Sequence, residues 1–432
     1  MTSQERKDKI FEITGGNYFS SDGKGKRLRY SGSVRTFIEY EIPLDYIIYN
    51  VENGRIASLV KSFEREQRTL NPEEPEDEDI IASFLYDSNA PANIKTKKNL
   101  IDNGQLETGI ITSDGVLVDG NRRVSLMRQI LKDEKLSPDE RTRCEKFRAV
   151  VLPEDADKKE ILRLETTFQM GSDEKVGYNA IEKYLHARDL QDQGFSTNDI
   201  AEYMNLEKVT DVNVLLQVMT LIDEYLDYFD YTGIYTRLPK GFEDDMLKLN
   251  TALKKIKDGG ISWIPTDRLT EVENDLKCLC FDYIRLNAKS QDGFFFRSIA
   301  STSGANFLVN EDVWNSFVNA WKSTMEKIPA ERPVEEILKA SSSPNESNRL
   351  LEAHDNAWRK EVKEGLLDAF NDAQTTVNNK KEKEKPAVLL KRALNAVQQI
   401  DLSNIASSSD KIYIKNLVNS LMSFCKDAET KF

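Results

Sequence analysis

The stretch Gly115–Met127, GVLVDGNRRVSLM, decides how the chain is read. A short apolar strand turns through Asp119 and Gly120 into a segment of helical spacing, whose inward face is Val124, Met127 and Leu131. Asn121 suits the N-cap, because a short polar side chain there accepts unpaired N–H groups of the first turn. Arg122 and Arg123 then fall in that first turn, where the helix dipole disfavours a cation by about 0.3–1 kcal/mol. An anion opposite them would reverse the penalty. Free N–H groups, a glycine allowing close approach and two guanidiniums that grip oxygens in pairs together compose a phosphate seat. The alternative is that both arginines lie in solvent or pair with Asp119 and Glu107, and spacing alone does not choose.

Bulk composition narrows the partners. The 432 residues suffice for two to four domains and a sizeable core. With 60 Lys and Arg against 73 Asp and Glu, the net charge of -13 argues against indiscriminate binding to nucleic acid or anionic membrane, so a polyanion must meet a local basic patch. Cys144, Cys278, Cys280 and Cys425 lack the spacing of a zinc knuckle, and two histidines leave little for histidine-based catalysis. The first residues lack the apolar core of a signal peptide and no run of about 18 apolar residues occurs, so a cytoplasmic protein with no membrane partner is expected.

Around the opening stretch the pattern is mixed. Ile38–Asn50 has strand-like content, and Gly54–Gln67 carries Ile56, Leu59, Val60 and Phe63 at helical spacing. Asn71–Asp79, NPEEPEDED, reads as a solvated, mobile insertion, and a second helix or turn is placed around Asn99–Asn103. Ser113-Asp114-Gly115 marks a hairpin, and Lys146–Pro153 completes the sheet. From Lys158 on, helices are expected over Lys158–Gln169, Tyr178–Gln191, Thr197–Met204 and Val209–Tyr228. Asn378–Pro386 reads as a charged linker ahead of the stripe Val388, Leu390, Leu394, Val397 and Ile400, which must meet a partner. The expected domains are therefore 1–155, 156–240, 241–377 and 378–432.

The motif GVLVDGNRRVSL resembles the phosphate-binding turn of the ParB/sulfiredoxin superfamily. IPLDYIIYNVENGRIASLVKSFEREQ is similar to the opening strand, loop and first helix of ParB-like domains, and NGQLETGIITSDG to their approach strand. The similarity covers about residues 38–155, and continues into LRLETTFQM and a degenerate helix-turn-helix at FSTNDIAEYMNLEKVTDVNVLLQVM. It implies an α+β N-terminal domain of ParB/sulfiredoxin type followed by mostly α-helical domains. It also implies a nucleoside triphosphate, CTP or ATP, held with magnesium and hydrolysed slowly as a switch in plasmid partition or defence against mobile DNA. On that reading Asp119, Gly120 and Asn121 supply donors, and Arg122 and Arg123 clamp phosphates. Arg55, at a second cation-bearing helix start, assists them. Glu165 matches the glutamate of the family's Glu-Asn-X-X-Arg motif and holds the metal, with Arg123 as its catalytic companion. Thr166 and Gln169 depart from that motif, although Gln169 shares a helix face with Glu165.

Other features point elsewhere. The basic run Lys24, Lys26, Arg27, Arg29 and Arg35, with Tyr30 among them, could track DNA or form a solvated hairpin. Ser196 suits an N-cap, Ile200, Ala201 and Met204 a packing face, and Val209–Tyr228 the reading helix of the helix-turn-helix. That helix offers Asn213 and Gln217 but also Asp211, Asp223, Glu224 and Asp227, which favours packing over DNA readout. Gly293–Gly304 reads as core. The rival functions are a metal-dependent nuclease built on Asp114, Asp119 and Glu165, a small-molecule phosphotransferase, and a nonenzymatic DNA or protein adaptor. A sulfinic-acid-repair chemistry would need a cysteine at the turn, which has none. Self-association through the C-terminal helices is a further expectation.

Overall fold

Strand β6 (Lys146–Val151) lies between β3 (Glu39–Pro43) and β4 (Gly109–Ile111) in a mixed sheet of order β3-β6-β4-β5, where β5 is Leu117–Asp119. In this computed structural model, which describes residues 1–172, 180–287, 295–300, 306–341, 343–400 and 410–431, β6 pairs antiparallel with β3 and parallel with β4. Alternation along the strands sends Phe147, Ala149 and Val151 into one core and Val150 into another. The first core is closed by α1 (Ser3–Thr14), α2 (Ala57–Glu66), α3 (Pro75–Asp87), α4 (Ala90–Asn103) and α5 (Asn121–Leu131), with the short α6 (Pro138–Thr142) outside it. On the opposite face, Ile110, Val118 and Val150 pack against Leu28, Tyr30 and Phe37 of the hairpin β1 (Lys26–Tyr30)–β2 (Ser33–Phe37) and Leu164 of α7 (Lys158–Ser172). Burial on both faces accounts for the apolar runs of the central β4 and of β5, while β3 at the sheet edge alternates with exposed Glu39 and Glu41.

The rest is helical: α8 (Ala180–Asp192), α9 (Thr197–Tyr203), α10 (Val209–Tyr228), α11 (Phe242–Lys257), α12 (Leu269–Leu286), α13 (Phe295–Ala300), α14 (Glu311–Met325), α15 (Val334–Lys339), α16 (Pro344–Gln398) and α17 (Lys411–Glu429). Ser196 and Asp199 form a capping box at α9, whose Ile200 and Ala201 are buried with Met204 behind them. Helix α10 packs against α8, α9 and α11 through Val212, Val218, Ile222 and Leu226, and Gln217 accepts from Asn250 Nδ2 at 3.1 Å. It is therefore a packing helix of this region. The ends of the expected helix at Tyr178 and of the Gly293–Gly304 segment lie outside the described residues; within the latter, Phe295, Phe296 and Ile299 are buried.

Several expectations are corrected. NPEEPEDED is not a mobile insertion: Pro75 opens α3, followed by Glu76, Asp77 and Glu78 in the first turn. Proline at N1 and acids near the positive end of the dipole are both helix-starting features. Asp77 is buried, accepting from Arg68 at 2.7 Å and from the Asn71 N–H at 2.8 Å. Nor is Asn378–Pro386 a linker; α16 runs through it, since Lys and Glu are good helix formers. The long strand expected at Ile38 ends at Pro43, followed by a 3₁₀ turn over Leu44–Tyr46.

The chain divides into two units, Met1–Phe370 and Asn371–Phe432. The expected boundaries near 155 and 240 lie within the first unit, where hydrogen bonds cross both: Ser58 Oγ to Glu182 of α8 across the first, and Tyr184 OH to Glu243 Oε1 at 2.9 Å across the second. Among the described residues, no helix is long and apolar enough to cross a membrane.

One buried ionic node ties α12 to α16. Arg285, 2% exposed, donates to Asp355 at 2.9 Å and to both oxygens of Glu331 at 2.8 Å, with its guanidinium 4.5 Å from the ring centres of Phe229 and Trp358. Removing one partner from such a buried pair strands the other. Arg285→Ala is expected to lower unfolding free energy by about 3–5 kcal/mol, read from urea denaturation midpoints at constant slope.

Candidate functional site

The start of α5 answers the question of the two arginines in part. Gly120, at φ 116°, is the N-cap, so the cap assignment to Asn121 is corrected. A glycine is required there by that φ and because a Cβ would stand 2.4 Å from the Phe147 ring. Asn121 is instead the first helical residue and is buried, its Oδ1 accepting the Asn50 N–H at 2.9 Å. Arg123 donates to Asp119 Oδ2 at 2.7 Å and to the Glu107 carbonyl, the pairing that competed with phosphate binding in the sequence. Arg122 beside it is half-buried.

A third cation joins them from the basic hairpin. Lys26 Nζ lies 4.0 Å from Asp119 Oδ2, donates to the Thr108 carbonyl and sits 4.6 Å from the Phe168 ring centre. Burial lowers its pKa, with Arg123 adding to the fall and Asp119 opposing it. Lys26 and Arg123 thus share one carboxylate at the positive end of a helix dipole. Elsewhere the hairpin is occupied by the protein itself: Arg29 pairs with Glu202, and Arg35 lies over Phe19.

The second constellation lies behind the first, joined to it by the Asn50–Asn121 bond. Glu165 of α7 is 2% exposed. It accepts four N–H donors: Asn50 Nδ2 at 3.2 Å, Asn53 Nδ2 at 3.0 Å, the Gly54 backbone at 3.1 Å and Gln169 Nε2 at 2.7 Å. Gln169 Oε1 meets His186 Nε2 at 3.0 Å, so the neutral ring carries its proton on Nε2. One turn earlier on α8, Glu182 accepts from Ser58 Oγ at 2.5 Å and from the Ser58 N–H at 3.3 Å. Helix α2 has no side-chain cap of its own, so Glu182 supplies the anion at its first turn. Arg55, half-buried, donates its backbone N–H to Asn53 Oδ1 at 3.2 Å, and its charge helps to depress His186.

Magnesium does not fit at Glu165. Each of its four close partners presents a proton, whereas a cation needs lone pairs. The amide oxygens that could ligate are turned away, Asn50 Oδ1 to the Glu52 N–H at 2.9 Å and Asn53 Oδ1 to the Arg55 N–H. Nor do the three acids of the nuclease reading converge. Asp114 accepts from Ser3 and Thr112 at the β4–β5 turn, Asp119 from Arg123, and Glu165 from the buried loop. Among the described residues, no three His, Cys, Asp or Glu side chains form a metal-binding group.

Sequence reading missed Lys26 as a member of this site, and with it Asn50, Glu182 and His186. A usable signal existed for the last two: Glu182 and His186 stand four apart on α8 among Ile181, Leu185 and Leu190, a polar pair on a buried face.

Compared with protein-family models, curated proteins and solved structures, the chain matches none. Its site must therefore be read from its own chemistry.

Two tests follow from this packing. A Cβ at position 54 would stand 1.6 Å from His186 Nε2, so Gly54→Ala is expected to cost about 1–3 kcal/mol or more, with His186→Ala in the same chain restoring part of it, read as a double-mutant cycle. Burial pushes Glu165 up to about 8 and Glu182 up to about 7, and pushes His186 down to about 4. Above the unfolded-state carboxyl value the folded protein holds protons that the unfolded chain has released, so both glutamates lower stability as pH rises toward 7–8. His186 acts oppositely, but only below its ordinary 6.5. Stability should fall between pH 6.5 and 8, and Glu165→Gln should flatten that fall in urea midpoints measured across the range.

Proposed function

We propose that this chain binds the triphosphate of a nucleotide, CTP or ATP, at the N-terminal end of α5, as a ParB/sulfiredoxin-like domain would. The observation that carries the reading is the convergence of Lys26 and Arg123 on the single carboxylate of Asp119, beside Arg122 and the first-turn N–H groups of α5. Two cations thus meet one carboxylate at the positive end of a helix dipole, on a chain whose net charge is -13. Asp119 keeps Lys26 and Arg123 in place, and an incoming phosphate exchanges with that carboxylate, gaining two charge-assisted donors without their having to be ordered anew.

In this reading Glu165 and Gln169 are positioning residues. They fix the Asn50–Gly54 loop, which in turn fixes Asn121 and the start of α5. Any magnesium arrives on the nucleotide's own phosphates. Arg123 stabilises charge on the phosphate oxygens, and Arg55 adds positive potential at the neighbouring helix start. Binding and slow turnover then bias the protein between partner states, in DNA-linked processes such as plasmid partition or defence against mobile DNA, as the ParB resemblance implies.

A thermal-shift series with CTP, ATP, GTP and inorganic triphosphate tests this. At about 1 mM ligand the wild type should rise in Tm by the linkage relation, with and without EDTA, while Lys26→Gln and Arg123→Gln should each weaken apparent affinity about tenfold or more. No shift of the wild type by any of these ligands overturns the reading.

A further inference from the structure

The turn after β1, the start of α7 and the two ends of α9 line a cleft of about 320 Å³. The most buried cation on it is Arg163, 7% exposed. Glu160 holds its Nε and Nη2, and the Arg29 carbonyl also accepts from Nη2, whereas Nη1 has no hydrogen-bond partner among the described residues. A guanidinium fixed on one side with its other arm unused is a preorganised holder of an anion. One turn earlier, Lys159 Nζ lies 4.4 Å from the Phe195 ring centre and pairs with no carboxylate among the described residues. The rings of Phe195 and Tyr203 meet edge to face at 5.3 Å, and the Arg163 guanidinium lies 5.7 Å from the second. Negative charge lines the same cleft. Asp155 accepts Tyr30 OH at 3.0 Å and Asp157 accepts the Glu160 N–H at 2.7 Å, each through Oδ1, and the second oxygen of each has no partner among the described residues.

We propose that this cleft binds a free α-amino acid with an apolar or aromatic side chain. The carboxylate of the ligand takes Arg163 Nη1 and Lys159 Nζ, its ammonium donates to the unused oxygens of Asp155 and Asp157, and its side chain lies against Phe195 and Tyr203. The charges select a zwitterion. Glu160 neutralises Arg163 and Glu202 neutralises Arg29, so one unpaired lysine faces two carboxylates, and a phosphate dianion meets net repulsion. An organic cation finds both rings already faced by cations. A molecule that carries both charges within a few bonds satisfies both sets. The volume is at the lower end of the range for small-molecule sites, roughly 300–1,000 Å³. The cleft shares no lining residue with Lys26, Asp119 and Arg123, and the inference does not rest on the nucleotide site.

Isothermal titration calorimetry of the full chain tests it with L-phenylalanine, 3-phenylpropanoate, which lacks the ammonium, and phenethylamine, which lacks the carboxylate. The wild type should bind L-phenylalanine saturably with a Kd below about 1 mM and each analogue about tenfold or more weakly. Asp155→Asn keeps an oxygen for Tyr30 and should bring L-phenylalanine down to the affinity of 3-phenylpropanoate. Lys159→Gln should weaken both carboxylates about tenfold and leave phenethylamine unchanged. Both side chains are exposed, so an unchanged unfolding midpoint is expected of each variant. No saturable heat from the wild type, analogues that bind as tightly as the amino acid, or displacement of L-phenylalanine by inorganic phosphate each overturn the proposal.

Discussion

A carboxylate taken out of water loses several kcal/mol of solvation unless N–H groups replace the water it gave up. Glu165 recovers part of that loss through four donors, three from the Asn50–Gly54 loop and one from Gln169 a turn along its own helix, although burial still outweighs them. The loop therefore has one conformation, and because Asn50 also donates to Asn121, so does the beginning of α5. Sheet, loop and helical region are held together at this point, which is why the strand-rich and helical parts share one unit.

The same economy explains the cations at helix starts. An unopposed cation near the positive pole of a helix is a cost, and at α2 and α5 a carboxylate of the chain stands against it. Glu182 stands at the first turn of α2, where Arg55 introduces positive charge, and Asp119 stands against Arg123 at α5. What the protein adds at α5 is a second cation on the same carboxylate. Lys26 reaches it from a hairpin about ninety residues away in sequence, making Asp119 a shared and exchangeable partner.

Helix-forming periodicity carried far in this chain because it is a local property. Val209–Tyr228 forms the helix its pattern specifies, and Ser196 caps α9 as its type and position require. Local rules applied wrongly misled elsewhere. Taken as composition, the acidity and proline of Asn71–Asp79 suggest a solvated loop, whereas their order, proline first and acids next, is that of a helix start.

The residues at 115–127 by themselves determined a strand, a glycine turn and a helix with arginines in its first turn, because those depend on neighbours a few positions apart. Whether the arginines face an anion, and which one, depended on groups brought from positions 26, 50 and 165 by the packing of the sheet's two faces. Partner choice of this kind is a long-range electrostatic balance, and no window of sequence contains all its terms. Only the folded chain could assign Asp119 to two cations, turn Asn121 inward, and surround Glu165 with protons where a metal had been expected.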